Sequence, residues 1–142
     1  CTCICLPPAS TMAAGATVQS EWTRLLAVTV ESAKDLKNVD WIGQSDPYFK
    51  LSDFNGKVIG GNDGGDKSKS AVVENNLSPS WQETHIFLLD KQVDRFKLRV
   101  KDEGTVQALS KEIGAVTILL DTDHQYSKTY PLDTQGTVTL KY

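Results

Sequence analysis

Residues 40–48 are the most informative part of the chain and read Asp40-Trp41-Ile42-Gly43-Gln44-Ser45-Asp46-Pro47-Tyr48. Two carboxylates six residues apart bracket two bulky apolar side chains and a turn-forming glycine. Pro47 prevents a helix from continuing, and the alternation in residues 48–51 predicts a strand. Carboxylate oxygens suit a hard cation, and exposed apolar side chains suit a membrane. The stretch indicates a loop that meets a membrane through a metal. The alternative is an acidic hairpin turn, in which Asp and Gly serve only the backbone.

Length and composition indicate one globular domain. The chain has 142 residues, of which 39% are apolar and 23% are charged, enough for one core. A formal net charge of −3 gives no general attraction for nucleic acid or anionic lipid, so we expect no nucleic-acid partner. Binding to an anionic surface must therefore come from a local patch. No apolar run approaches the roughly 20 residues of a membrane-spanning helix, which predicts peripheral association with a bilayer.

Residues 1–21 differ from the rest of the chain. They hold all three cysteines and the single methionine, Met12, which opens a stretch typical of a translation start. We expect residues 1–21 to be a leader outside the fold, and residues 1–11 to be upstream sequence. The remainder, residues 22–142, has no cysteine, which is typical of a reducing, cytoplasmic environment. Two alternatives are that the cysteines are lipidated or that they bind metal, although three thiols fall short of a four-ligand zinc set.

From Arg24 onward the hydrophobic pattern has a period of two. The clearest half-buried strand is residues 96–101, in which Phe, Leu and Val alternate with Lys, Arg and Lys. Further strands are predicted at 24–30, 48–51, 57–59, 68–73, 83–89, 113–119, 126–131 and 137–142. One helical turn is predicted at 105–111. Several short strands at regular spacing predict an all-β, antiparallel sandwich.

Three motifs in register resemble the C2 domain family. Residues 40–48 match its Asp-x-x-Gly-x-Ser-Asp-Pro-Tyr loop, and residues 75–83 resemble its Asn-x-x-Pro-x-Trp-Asn-Glu connection. Residues 98–102 resemble the strand that leads into its third loop. The resemblance covers residues 22–142. It implies an eight-stranded antiparallel Greek-key sandwich that binds phospholipid, often through calcium held between loops at one end. It also favours the type II topology, in which the last strand, residues 136–142, closes the fold.

The resemblance assigns metal ligation to Asp40, Asp46 and Asp102. The family typically supplies two aspartates from its first loop, here residues 40–46, and three from its third. In this chain Gly104 and Ser110 stand where two of the latter three would be. Calcium prefers about six to eight oxygen ligands, so this incomplete set predicts weak or lost calcium binding.

Two nearby acids, Glu103 and Glu112, are candidates to complete that set. Glu103 adjoins Asp102 on an extended segment and is expected to point to the opposite side. In the absence of metal, Asp40 and Asp46 would cap their loop by hydrogen bonds to the backbone.

Apolar loop residues provide one predicted route to a membrane. If the loops adjoin as the resemblance implies, Trp41 and Ile42 of the first loop meet Val106, Ala108 and Leu109 of the third. Loops are normally polar, so such a cluster is expected to insert into the headgroup region. The alternative is that Ile42 and Leu109 pack under the loops as a satellite core.

Basic residues provide a second route. Alternation places five side chains on the solvent side of two strands: Tyr48, Lys50, Lys97, Arg99 and Lys101. Lys69 lies on a neighbouring predicted strand, and the resemblance matches Tyr48, Lys50 and Lys69 to part of the family's phosphoinositide patch. Each basic residue near an anionic surface contributes about 1 kcal/mol. The alternative is an ordinary solvated face.

No motif supports catalysis. Residues 60–68 approach a phosphate-binding loop, but Asp66 stands where glycine is required, and His85 and His124 lack a neighbouring nucleophile motif. We therefore expect a cytoplasmic, peripheral phospholipid-binding module with weak or absent calcium dependence, and no enzyme. Two alternatives stay open: a protein–protein interaction module on the same sandwich without lipid binding, and a fully calcium-dependent membrane-targeting domain.

Overall fold

The computed structural model describes residues 23–53, 57–60, 67–90, 93–104, 111–120 and 126–142. Within these ranges the chain forms eight strands: β1 (Thr23–Lys34), β2 (Pro47–Asp53), β3 (Lys57–Gly60), β4 (Ser80–Asp90), β5 (Arg95–Asp102), β6 (Lys111–Leu119), β7 (Lys128–Pro131) and β8 (Thr137–Lys141). The expected leader, residues 1–21, lies outside the described residues. So does the helical turn predicted at 105–111, except for Lys111, which begins β6.

The strands form two antiparallel sheets that pack face to face. The larger sheet has the order β3-β4-β1-β8-β7, and the smaller has the order β2-β5-β6. Between them lies a core of fully buried side chains that includes Phe49, Phe87, Phe96, Leu98 and Leu140. Each such side chain contributes about 1.5–3 kcal/mol by leaving water. The predicted all-β antiparallel sandwich is confirmed.

The last strand, β8, lies beside the first strand in the larger sheet, between β1 and β7. β8 pairs with the second half of β1, from Thr29 opposite Lys141 to Lys34 opposite Thr137. A closing strand in this position is what the type II arrangement requires, and the type II assignment itself stays a prediction.

The alternating pattern predicted for residues 96–101 matches the burial of side chains along β5. Phe96, Leu98 and Val100 are fully buried between the sheets, while Lys97, Arg99 and Lys101 lie on the outer face of the smaller sheet. Because side chains alternate along a strand, one apolar row faces the core and one basic row faces outward.

Residues 67–73, called here the edge segment, do not form the strand predicted at 68–73. The segment runs beside β2, and only Lys69 forms a β-bridge with that strand, opposite Lys50. Other backbone groups of the segment also form hydrogen bonds with β2. Ser70 N donates to Phe49 O at 2.9 Å, and the Ser70 hydroxyl accepts from Phe49 N at 2.8 Å.

Side chains of β4 explain this irregularity, because they bind backbone groups of the edge segment. Trp81 Nε1 donates to Ala71 O at 3.1 Å, and the Glu83 carboxylate accepts from Ala71 N at 2.9 Å. Nδ1 of the buried His85 lies 2.8 Å from Lys67 O. The edge segment is therefore held by β4 as much as by β2.

Gly136 provides a test of the contact between the β7–β8 turn and the end of β1. Its φ is +87°, and an added Cβ would lie 2.5 Å from Lys34 O and 2.6 Å from Asp35 O. We expect Gly136→Ala to lower the free energy of unfolding by about 2–3 kcal/mol, because the clash is with backbone atoms that cannot rotate away. Urea unfolding followed by circular dichroism measures the change.

Gly43→Ala is the matched control. Gly43 also has a positive φ, +82°, but its added Cβ would meet only the Asn75 side-chain oxygen, at 3.3 Å. We expect a smaller loss of stability there, because a side-chain oxygen can move away from the added methyl group whereas backbone carbonyls cannot. Equal losses in the two variants would contradict the assigned clash.

Candidate functional site

Asn38 organises the segment between β1 and β2 that contains the first loop. Its side-chain oxygen accepts hydrogen bonds from the backbone nitrogens of Asp40 and Ser45 and from the Ser45 hydroxyl, each at 3.1 Å. Its amide nitrogen donates to Gly43 O at 2.8 Å. Sequence reasoning missed Asn38. The available signal was the Asn itself, just before a loop, because an Asn side chain can bond the backbone nitrogen two residues further on in an Asx turn.

The first loop is also fixed to the segment that precedes β4. Asn75 N donates to the Asp46 carboxylate at 2.7 Å, and Asn76 N donates to Ser45 O at 3.1 Å. Glu103 N donates to Asp46 O at 3.0 Å. These bonds agree with the predicted loop-capping role of Asp46, and they hold the loop at one end of the sandwich.

Two apolar side chains project from this fixed loop into solvent. Trp41 is 95% exposed and Ile42 is 91% exposed. The alternative in which Ile42 packs under the loop as a satellite core is therefore wrong. Val106, Ala108 and Leu109, the other expected members of the cluster, lie outside the described residues.

Three carboxylates converge where β5 ends. Asp102 is buried, and its Oδ1 accepts a hydrogen bond from Asp46 N at 2.7 Å. Burial raises the pKa of the Asp102 carboxyl. The Asp46 backbone hydrogen bond opposes this shift, while a hydrogen bond with Asp40 and the charges of Asp40 and Asp46 raise the pKa further. The predicted ligands Asp40, Asp46 and Asp102 are thus brought together, and they repel one another.

The other acidic residues near this cluster lie beside cations of the smaller sheet and the edge segment. Within the described ranges, no three or more acidic, His or Cys side chains are arranged to hold a metal ion. The Glu103 carboxylate accepts a hydrogen bond from Lys69. Glu112 lies beside Arg99. Gly104 offers no carboxylate, and Ser110 lies outside the described residues.

A row of three cations crosses the outer face of the smaller sheet. Lys50 of β2 lies opposite Arg99 of β5 on one side and opposite Lys69 of the edge segment on the other. These three residues are called the basic row. Lys101 is the next outward residue of β5 and lies opposite Tyr48. The predicted basic residues are therefore brought together.

Tyr48 departs from its predicted position on the solvent side. Its side chain is buried, because the Lys69 ammonium group lies over the ring at 4.3 Å from the centroid. Alternation correctly predicts that Tyr48 and Phe49 lie on opposite faces of β2. It does not reveal Lys69, which covers Tyr48 from a different segment of the chain.

Comparison with known proteins identifies the class. The family model described as "C2 domain" matches residues 24–132, so the chain belongs to the C2 domain family. Synaptotagmin-5 of Arabidopsis thaliana is 33% identical over 118 residues, which cover 80% of this chain. A calcium-dependent lipid-binding protein of the same plant is 33% identical over 96 residues, which cover 67% of this chain. The chain spans only 19% and 17% of the lengths of these two relatives.

A solved structure supports the same fold. A C2 domain of plant extended synaptotagmin 1 matches with a TM-score of 0.66 at 22% identity, over 82% of this chain and 90% of that one. Among the described residues of the present chain, no helix is long and apolar enough to cross a membrane.

Asp102 gives a pH-dependent test of the carboxylate cluster. Because its pKa is raised in the folded state, the folded protein holds this proton more tightly than the unfolded chain does. That contribution to stability is present at low pH and is lost as the pH rises through the folded-state pKa. We expect Asp102→Asn, which keeps an oxygen for Asp46 N, to be more stable than the wild type at neutral pH in chelator. The difference should shrink in acid, as measured by urea unfolding.

Asp94→Asn is the matched control, because Asp94 is exposed and its hydrogen bond with Arg95 lowers the pKa of its carboxyl. We expect no gain in stability from it at neutral pH. An Asp102→Asn protein that is no more stable than the wild type at neutral pH would contradict the repulsion described for the cluster.

Proposed function

We propose that this C2 domain is a peripheral phospholipid-binding module whose first loop inserts Trp41 and Ile42 into the headgroup region of a membrane. The observation that carries the proposal is the exposure of these two side chains, 95% and 91%, at the tip of a loop that Asn38 holds in place. Complete burial of a large apolar side chain contributes about 1.5–3 kcal/mol. Partial insertion of the pair therefore gives a useful driving force.

A preformed loop favours insertion, because little conformational freedom is lost on binding. The loop is tied to Asn38 and to the end of β5 through its backbone, and to Asn75 through the Asp46 carboxylate, before any membrane is met. Membership of the C2 family, and similarity to a protein named for calcium-dependent lipid binding, support a lipid surface rather than a protein as the partner.

The basic row is proposed as the second contact, with Lys101 beside it. The Lys50–Arg99 pair lies three residue pairs from the Pro47–Asp102 pair at the loop end, a distance of about 10 Å along the strands. The headgroup layer is only about 5–7 Å thick on each side of a bilayer. An upright domain would therefore hold the row above the headgroups. We infer that the domain tilts, turning the outer face of the smaller sheet towards the membrane.

Calcium has at most a weak part in this proposal. The described carboxylates do not form a metal-holding set, and the apolar tip and the basic row attract a membrane without metal. We therefore expect measurable binding in the presence of a chelator.

Vesicle sedimentation tests the proposal, with phosphatidylcholine vesicles that contain or lack phosphatidylserine, in chelator and in calcium. We expect the wild type to pellet with phosphatidylserine vesicles in chelator. The double variant Trp41→Ala/Ile42→Ala should bind about tenfold more weakly, since about 1.4 kcal/mol corresponds to tenfold. Its unfolding free energy should be unchanged, because both side chains are exposed.

Leu25→Ala is the control for loss of an exposed apolar side chain, because Leu25 is 67% exposed near the start of β1, away from the first loop. Wild-type protein that pellets under no condition, or a double variant that binds like Leu25→Ala, would contradict the proposal. Pelleting that requires calcium and is lost in Asp102→Asn would favour a calcium-dependent domain instead.

A further inference from the structure

Two glutamates lie against the ends of the basic row. The Lys69 ammonium group donates to the Glu103 carboxylate at 2.5 Å, and the two side chains are only 34% and 28% exposed. At the other end, Arg99 Nε lies 3.6 Å from the Glu112 carboxylate, with exposures of 47% and 46%. Lys50 lies between the two paired cations.

Glu112 lies close to a second cation besides Arg99. In the register of β5 and β6, Glu112 lies opposite Lys101. One carboxylate on β6 therefore adjoins two successive outward cations of β5, and the second carboxylate, Glu103, adjoins the cation of the edge segment.

We propose that Glu103 and Glu112 are built-in competitors that set the affinity of the basic row for an anionic phospholipid headgroup. A headgroup binds the row by displacing these carboxylates and supplying its own oxygens to Lys69 and Arg99. This inference rests on the membrane-binding function proposed above, and it assigns to two acidic residues the control of that function.

The electrostatics of the sheet explain why carboxylates are found there. Like charges directly opposite each other on neighbouring strands destabilise a sheet, and the basic row places three cations side by side. The two carboxylates reduce this repulsion when no membrane is present. Ion pairs near the surface contribute little to folding, so a headgroup can replace them without unfolding the sheet.

The two pairs differ in strength, which gives the inference a graded outcome. The Lys69–Glu103 pair is direct, largely covered and supported by the contact of Lys69 with the Tyr48 ring. The Arg99–Glu112 pair is longer and about half exposed. Removal of the Glu103 charge should therefore release more headgroup affinity than removal of the Glu112 charge.

The test uses Glu103→Gln and Glu112→Gln, each of which keeps the shape of the side chain and removes one negative charge. Asp94→Asn is the matched control, since it makes the same change of charge in an exposed pair with Arg95 at the other end of β5. Binding is measured by sedimentation in chelator with phosphatidylcholine vesicles that contain or lack phosphatidylserine, at low and high salt.

We expect Glu103→Gln to bind phosphatidylserine vesicles about fivefold more tightly than the wild type, the value for about one charge near an anionic surface. Glu112→Gln should gain about twofold to threefold and Asp94→Asn nothing, and high salt should reduce both gains. Wild-type binding without a gain in either glutamine variant would overturn this inference alone. An absence of binding by the wild type and both glutamine variants would overturn the proposed function as well.

Discussion

The hydrogen bond from Asp46 N to the buried Asp102 carboxylate is the contact on which the loop end of the sandwich depends. It joins the start of β2 to the end of β5, two strands that pair from Pro47 opposite Asp102 onward. It therefore fixes the base of the first loop. The bond opposes part of the shift, but the pKa of Asp102 is still raised, because the carboxyl is buried and because Asp40 and Asp46 lie close by. We therefore expect the cluster to lower the stability of the domain at neutral pH.

Two groups of surface residues are in unfavourable surroundings when the domain is in water. The apolar tip, Trp41 and Ile42, is held outward by a loop whose backbone bonds are already made. The basic row places like charges side by side and is moderated by Glu103 and Glu112. In the proposed function a membrane relieves both costs, since headgroups accept the apolar tip and supply oxygens to the cations. The proposed tilt allows both contacts in one orientation.

Much of the fold could be predicted from the sequence, because burial on one face leaves an alternating pattern. Residues 96–101 show this pattern clearly, and all but one of the predicted strands are present. The edge segment was mistaken for a strand because its backbone partners include side chains of β4, which no local pattern reveals. Tyr48 was expected in solvent for a similar reason, since Lys69 covers it from another part of the chain. The resemblance to the C2 family assigned Asp40, Asp46 and Asp102 to one site, whereas the raised pKa of Asp102 depends on tertiary contacts.

The fluorescence of Trp41 reports whether this side chain enters the headgroup region. Wild-type protein and the Trp41→Phe variant would be bound to phosphatidylserine vesicles that carry lipids brominated near the headgroup end of the acyl chain. Bromine quenches only nearby tryptophan. The difference between the two proteins reports the depth of Trp41, because Trp22 and the buried Trp81 are common to both. We expect strong quenching in the wild type that is largely lost in Trp41→Phe. Equal quenching of the two vesicle-bound proteins would contradict insertion of the loop.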